Sequence, residues 1–243
     1  LLKNNSVSTS SNKYLNNNND IFFEIKNLNF SYGNKRNDFQ FENINFKLKK
    51  NDAIGIIGPS GSGKSTLVNF ILGLETTNSG TIETFGKSIH DDIFSWRSKI
   101  GYVPQDIFLF EDSIKENIAL GVNKNEINDQ KIFDVLKKVQ LKEFIMNLND
   151  GINTPVSERG LNLSGGQKQR LGIARALYNN PEILIFDEAT SALNAEIEDE
   201  IIDQIYQLKE NVTLVIITHK PSILKNCNKI YKMVNGHLLI EKE

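Results

Sequence analysis

The side chains able to do chemistry are concentrated in three short stretches. Gly58-Pro59-Ser60-Gly61-Ser62-Gly63-Lys64-Ser65 alternates glycine with small residues and ends on a cation and a hydroxyl. Glycines let the backbone curl so that successive N–H groups point inward as an anion nest, and a helix leaving the loop at Thr66 adds its positive N-terminal end. Set there, Lys64 reaches the β- and γ-phosphates of a nucleotide and the Ser65 hydroxyl ligates Mg²⁺. The second stretch, Asp187-Glu188, directly follows the apolar run Ile183 to Phe186. Mg²⁺ is a hard cation that takes carboxylate and hydroxyl oxygens, so an acid delivered by a buried strand beside a phosphate loop makes Asp187 the metal-side acid. Glu188, one residue on, points elsewhere and is placed to hold an attacking water as general base. Taken singly, the loop reads as a Gly/Ser turn and the acids as a solvated turn. An apolar strand entering the loop and a helix leaving it decide for phosphate.

The third stretch is Leu163-Ser164-Gly165-Gly166-Gln167. Ser164 and Gln167 form a capping box for a helix running to about Tyr178. Two glycines in a first turn cost helix stability, which points to a phosphate that approaches the backbone closely. A second anion-binding helix end is a puzzle for a monomer. Two copies arranged head to tail resolve it.

The elements that must position these groups follow from the hydrophobic pattern. Residues 1–20 are rich in Asn and Ser with little to bury and read as a tether. From Ile21 the chain alternates through Phe23, Ile25, Leu28 and Phe30, then Phe39, Phe41, Ile44, Phe46 and Leu48. That pattern predicts two antiparallel strands around the polar stretch Gly33 to Asp38, with phase slips that imply bulges. A wholly apolar strand, Ala53 to Ile57, leads into the glycine loop, and the helix after it carries Thr66, Leu67, Phe70, Ile71 and Leu74. A strand at Ile100 to Val103, a helix-rich polar stretch from about Ser113 to Asn149 and a loop rich in Gly and Asn come next. The last third alternates a helix from Ser164, a strand Ile183 to Phe186, a helix from Ala195, a strand Val212 to Thr218 and two short strands. Buried apolar strands alternating with helices predict a parallel sheet with helices on both faces.

Composition removes other classes. A net charge of −2 gives no basic field for DNA or RNA phosphates, so nucleic acid is not an expected partner. The single cysteine, Cys227, has nothing to pair with, which excludes disulfides and cysteine-rich metal sites and suits a reducing compartment. No apolar run approaches the ~20 residues of a membrane helix, so this segment is not expected to span a bilayer. The chain opens on Leu1 rather than methionine, as a piece of a longer polypeptide would.

With these motifs in order, the sequence from Phe22 onward resembles the ATP-binding cassette family. The resemblance implies an α/β fold with a P-loop NTPase core: a mixed, mostly parallel sheet, an N-terminal antiparallel β subdomain and an inserted α-helical subdomain at approximately 106–172, within a domain of residues 21–243. It implies ATP and Mg²⁺ as ligands, held by Gly58, Ser60, Gly61, Ser62, Gly63, Lys64, Ser65 and Thr66. It further implies that Tyr32 stacks on adenine, that Gln105 in YVPQD senses Mg²⁺ and the water, and that His219, ending a buried strand, touches the γ-phosphate as a switch. Asp187 and Glu188 take the Walker B roles, and Ser191-Ala192-Leu193-Asn194 forms a D-loop. Two cassettes would clamp two ATP molecules, with Ser164, Gly165, Gly166 and Gln167 acting in trans on the partner's nucleotide. Asn194 departs from the Asp usual in the D-loop, keeping hydrogen bonding and losing the charge. His90 and His237 are read as ordinary surface histidines.

Two stretches resemble the exporter branch. Val103 to Ile118 is similar to the segment that contacts membrane-domain coupling helices, and Thr154-Pro155-Val156-Ser157-Glu158-Arg159-Gly160 is similar to the exporters' TEVGERG loop, departing at Pro155 and Ser157. The implied partners are a second cassette, as a homodimer, and a transmembrane domain of the same transporter, on the cytoplasmic face of a bacterial inner membrane. The cargo is chosen by that membrane domain. In general likeness, including abundant Asn and Lys, the chain is similar to the cassette of a lipid-linked oligosaccharide flippase, ahead of lipid or peptide exporters. The rivals are a soluble cassette ATPase with no membrane domain and a nucleotide-binding module that does not hydrolyse ATP. The stretch from Gln105 to Leu163 lacks the long coiled coil of DNA-repair cassettes, and an intact Glu188 argues against a non-hydrolysing module.

Overall fold

The computed structural model describes residues 21–33, 40–157, 160, 163–190 and 195–242. The tether at 1–20, most of the polar stretch ending at Asp38, Glu158 and Arg159, and the D-loop Ser191 to Asn194 lie outside the described residues. Strands β1 (Ile21–Ser31) and β2 (Gln40–Lys49) pair antiparallel, with register shifts between Ile21 and Phe23, Ile25 and Leu28, and Leu28 and Phe30. The phase slips of the sequence are these irregularities. Asn27 and Asn43 sit near them at φ of 48° and 50°, a left-handed conformation that asparagine tolerates better than most residues.

Strand β3 (Ala53–Ile57) leads into helix α1 (Lys64–Ile71). Strands β4 (Ser79–Thr84) and β5 (Lys87–Ser88) and helix α2 (Ile93–Ser98) follow. Periodicity alone assigns none of these three: β4 and β5 are mostly polar, and α2, Ile93-Phe94-Ser95-Trp96-Arg97-Ser98, is too short at 6 residues to show a helical period. In β4 the buried residue is Ile82, and the strand exists because its backbone pairs with β1, completing a sheet of order β2-β1-β4-β5. Helix α2 starts on Asp92, whose carboxylate accepts from Ser95 N at 3.1 Å, and it carries Trp96 inward.

After strand β6 (Ile100–Val103) the helical addition comprises α3 (Ile114–Ile118), α4 (Asp129–Lys138) and α5 (Lys142–Met146), followed by α6 (Gly165–Tyr178). The chain then runs through β7 (Ile183–Asp187), α7 (Ala195–Gln207), β8 (Thr213–Thr218), β9 (Lys229–Val234) and β10 (His237–Lys242). The second sheet has the order β10-β9-β3-β8-β7-β6, parallel throughout except for the antiparallel β10–β9 pair.

Although its strands read as unbroken apolar runs, alternate residues serve separate cores. Ile183, Ile185, Val215 and Ile217 pack with β1, β2 and α1. Leu184, Phe186, Leu214 and Ile216 pack with α4, α6 and α7. This is the pattern of a sheet covered on both faces.

Phe23 ties the first of these cores together. It is fully buried, stacks on Trp96 with centroids 4.9 Å apart, and meets Phe46 edge-on at 6.4 Å. Trp96 in turn donates its indole N–H to Ile71 O at 2.8 Å. Phe23→Ala is expected to lower the free energy of unfolding by about 3–5 kcal/mol, the range for a truncated core phenylalanine, with the urea m-value unchanged. A urea titration giving a loss below about 1 kcal/mol would show that Trp96 and Phe46 close the gap.

Candidate active site

Strand β3 ends at Ile57, flanked by β8 and β9 on either side, and the glycine loop leaves from the carboxyl edge of the sheet. Gly58 has no room for a side chain, since a Cβ there would meet Met233 O at 2.3 Å. Further along, Ser62 O accepts from Gly236 N at 3.2 Å, so β9 and its turn fix both ends of the loop. Gly61, at φ 76°, faces open space, and a Cβ there would meet nothing within 4 Å. Gly63 caps α1 at φ 111° and offers no side-chain acceptor. The first amides of α1 therefore keep their donors for something that enters from outside.

What they face is a cleft of about 340 Å³ lined by Ser60, Gly61, Gly63, Lys64, Ser65, Thr66, Gln105, Asp187 and Glu188. Lys64 is 6% exposed, and its ammonium donates to Gly58 O at 2.9 Å and Pro59 O at 3.0 Å and lies 3.4 Å from Glu188 Oε1. Glu188 Oε2 is 3.6 Å from His219 Nδ1, so His219 joins the cleft through that carboxylate. Strand alternation alone would send Glu188 away from Asp187. Its left-handed φ of 50°, with its N–H held by Ile217 O at 2.9 Å, ends the alternation and brings both carboxylates to one cleft.

Burial raises the Asp187 carboxyl above its usual range; a hydrogen bond from Tyr102 opposes this, the Glu188 charge adds to it, and Lys64 offsets part. The Tyr102 hydroxyl donates to Asp187 Oδ2 at 3.1 Å. Sequence reasoning missed Tyr102, because its role depends on the parallel register that sets Tyr102 opposite Ile185, with Asp187 at the end of the neighbouring strand. Tyr32 is exposed, turns its ring edge-on to Phe30 at 4.7 Å and reaches Thr66 Oγ1 at 3.4 Å, which places it beside the start of α1.

The donor set fits a phosphate-bound hard cation. Among the described residues no three His, Cys, Asp or Glu side chains gather around one point, so these residues offer no cage of their own. The Ser65 hydroxyl, the Asp187 carboxylate and the Gln105 amide share the cleft and suit Mg²⁺ that keeps phosphate and water oxygens as its other ligands. The Ser62 hydroxyl is buried beside Gly58 without a hydrogen-bond partner among the described residues, and Ser62 does not line the cleft.

The signature residues stand apart from this cleft. The capping box is present, with Ser164 Oγ accepting from Gln167 N at 3.2 Å and Ser164 N donating to Gln167 Oε1 at 2.8 Å. Ser164 and Gly165 are exposed, Gly166 is buried, and none of Ser164 to Gln167 lines the phosphate cleft of its own chain.

Comparison with known proteins agrees with this geometry. Residues 41–191 match the family model described as ABC transporter. A Staphylococcus aureus (strain bovine RF122) protein named as a multidrug export ATP-binding/permease protein is 42% identical over 217 residues, covering 89% of this chain and 37% of its own length. A namesake from S. aureus strain NCTC 8325 is 41% identical over the same span, so the chain covers little more than a third of these curated relatives. A solved bacterial Atm1-family ABC exporter with ATP bound superposes with a TM-score of 0.79 at 34% identity, covering 90% of this chain and 38% of that one. The cleft, the signature helix and these likenesses agree, and the chain belongs to the ABC transporter family as an ATP-binding, ATPase domain.

Proposed function

We propose that two copies of this cassette close head to tail around two Mg²⁺–ATP molecules, and that hydrolysis there drives export through a membrane domain. The observation that carries the reading is the exposed start of α6. Ser164 and Gly165 present a helix N-terminus outside the phosphate cleft of their own chain, so the phosphate they suit belongs to another copy.

In this reading Lys64 leaves Gly58 O and Pro59 O for the β- and γ-phosphates, while the amides after Gly61 and Gly63 take the remaining phosphate oxygens. Ser65 and Asp187 hold Mg²⁺, which neutralises charge on the transferring phosphoryl group when bound. Glu188 accepts a proton from the attacking water as its oxygen bonds to the γ-phosphorus and the bond to the β-phosphate oxygen breaks. His219 and Gln105 orient the γ-phosphate and the water, and Tyr32 stacks on adenine. The relatives are named as proteins with ATP-binding and permease parts, which favours a membrane partner, at the cytoplasmic face of a bacterial membrane, over a soluble cassette. None of the residues placed in the cleft selects cargo. The names of the relatives point to a multidrug-type cargo, whereas the flippase likeness rests on general resemblance.

Calorimetry on Lys64→Ala is expected to find most of the ATP affinity gone, because the nest loses its fixed cation. Unchanged binding would remove Lys64 from the site. Glu188→Gln is expected to keep ATP binding, to cut turnover by ~10² to 10⁴, and to accumulate an ATP-bound dimer on gel filtration; turnover near the parent rate would place the base elsewhere.

Cassettes held by a shared membrane domain meet at an effective concentration of order mM, whereas free cassettes must associate from dilute solution. Specific activity of this chain should therefore rise with its own concentration. Ser164→Arg should lose activity but not ATP binding, and mixing it with Lys64→Ala should restore part of the activity through the composite site that keeps both intact halves. Activity per molecule that stays flat across a wide concentration range argues against the pair.

A further inference from the structure

Arg175 lies about three turns along α6 from Ser164 and has no place in the cleft. Its guanidinium is committed in another direction. Nε donates to Asn117 O at 2.7 Å, Nη1 to Phe108 O at 2.9 Å and Nη2 to Asn117 Oδ1 at 3.2 Å. Asn117 is 1% exposed, and its amide continues the chain of bonds: Oδ1 accepts from Phe110 N at 2.8 Å, while Nδ2 donates to Phe110 O at 3.0 Å, Ser113 O at 3.1 Å and Asp112 O at 3.3 Å. One turn back along α6, Gly172 leaves a bare patch filled by Ile107, whose Cδ1 would lie 2.4 Å from any Cβ there.

The segment after Gln105 is thus fastened to α6 at two levels, by packing at Gly172 and by hydrogen bonds at Arg175. Its outward side is apolar. Phe108 and Phe110 are 53% and 43% exposed and touch edge to face at 5.0 Å. An exposed loop joined to its domain by few contacts moves independently of it. This one is a strut with a nucleotide-cleft residue, Gln105, at one end and the signature helix along its side.

We infer that Arg175, seated through Asn117, is a positioning residue for hydrolysis: it fixes α6 against the segment from Gln105 to Ser113 and so sets where Ser164 and Gly165 stand against the partner's phosphates. A lysine cannot replace it, since one ammonium lacks the planar fork that reaches Phe108 O and Asn117 together. The inference rests on the head-to-tail reading, and its test separates the two.

Arg175→Gln is expected to bind ATP as the parent does in calorimetry, and to lose on the order of 10- to 100-fold in kcat at saturating ATP, the scale for misplacing a catalytic group from a distance. The decisive measurement is mixing. Paired with Lys64→Ala, the Arg175→Gln chain lends its sound phosphate loop to an undisturbed α6, and activity should return to the level of a Lys64→Ala plus Ser164→Arg control mixture. Paired with Ser164→Arg, the surviving composite site must use the displaced α6 of Arg175→Gln, and activity should stay low. Equal recovery with both partners, or recovery with neither while the control recovers, overturns the inference. A control mixture that does not recover overturns the head-to-tail reading and this inference with it. Should Arg175→Gln melt early, Asn117→Ser is the substitute: it removes the bonds to Phe110 and Arg175 Nη2, keeps the backbone carbonyl at 117, and must reproduce the same asymmetric recovery for the inference to stand.

Discussion

The Lys64 ammonium is buried, and a buried cation has to be compensated by carbonyl and carboxylate oxygens close at hand. Gly58 O, Pro59 O and Glu188 do this, and much of the local architecture is arranged so that they can. The two carbonyls are within reach because the loop doubles back on itself through residues without Cβ, or with small ones. Glu188 is within reach because β7 lies beside β8 and the chain turns left-handed where the pairing ends. Phosphate brings the same kind of negative charge to the same ammonium. On the proposed function, nucleotide entry therefore does two things at once: it recruits Lys64 to the phosphates and releases Glu188 toward the water it is to activate.

The carboxyl edge of the parallel sheet concentrates these demands. Strands β3, β7 and β8 all end there, and each delivers one part: the phosphate loop, the acidic pair, and His219. Their relative heights are set by parallel register, which is locked by packing on both faces, with alternate residues of each strand committed to different cores. A slip of one residue in β7 would exchange Ile183 and Ile185 with Leu184 and Phe186 between cores and would carry Asp187 away from Tyr102. Core packing and site geometry are one constraint here.

That division also explains what could be read in advance. Strands β3 and β7, the loop, the capping box at Ser164 and the helix behind it carry their signal within a few consecutive residues, so periodicity and local chemistry suffice. Strand β4 is mostly polar and helix α2 is too short for its Ile93, Phe94 and Trp96 to show a period, and both exist through what they pair with or bury, β1 in one case and Trp96 under Phe23 in the other. Tyr102 and Arg175 escaped for a related reason: a tyrosine in a strand and an arginine late in a helix are ordinary until the fold shows which carboxylate or carbonyl they meet. The abundance of asparagine had a structural meaning too. Asn27, Asn43, Asn51, Asn180 and Asn235 all hold positive φ, positions that glycine fills in many chains and that asparagine can occupy at modest cost.

On the proposed head-to-tail reading, topology gives an independent reason why one chain would not complete the site. Helix α1 follows β3 and so begins at the carboxyl edge. Helix α6 precedes β7 and is joined to it by the short link from Asn179 to Glu182, which obliges it to run back over the sheet, against β6, the parallel neighbour of β7, so it too begins at the carboxyl edge. Both helix N-termini, each with glycines and open amides, therefore face the same way from one edge of one sheet. Two donors of parallel aim stand side by side and cannot close on a single phosphate from opposite sides. A two-fold rotation reverses one of them, so that the α6 of one copy faces the α1 of the other, and the same operation produces the second site without any further residue. On that reading the spacing of the two helix ends within a chain sets the fit of both sites together, and the segment from Gln105 to Ser113, which Arg175 and Asn117 fasten to α6, is the part that would hold it.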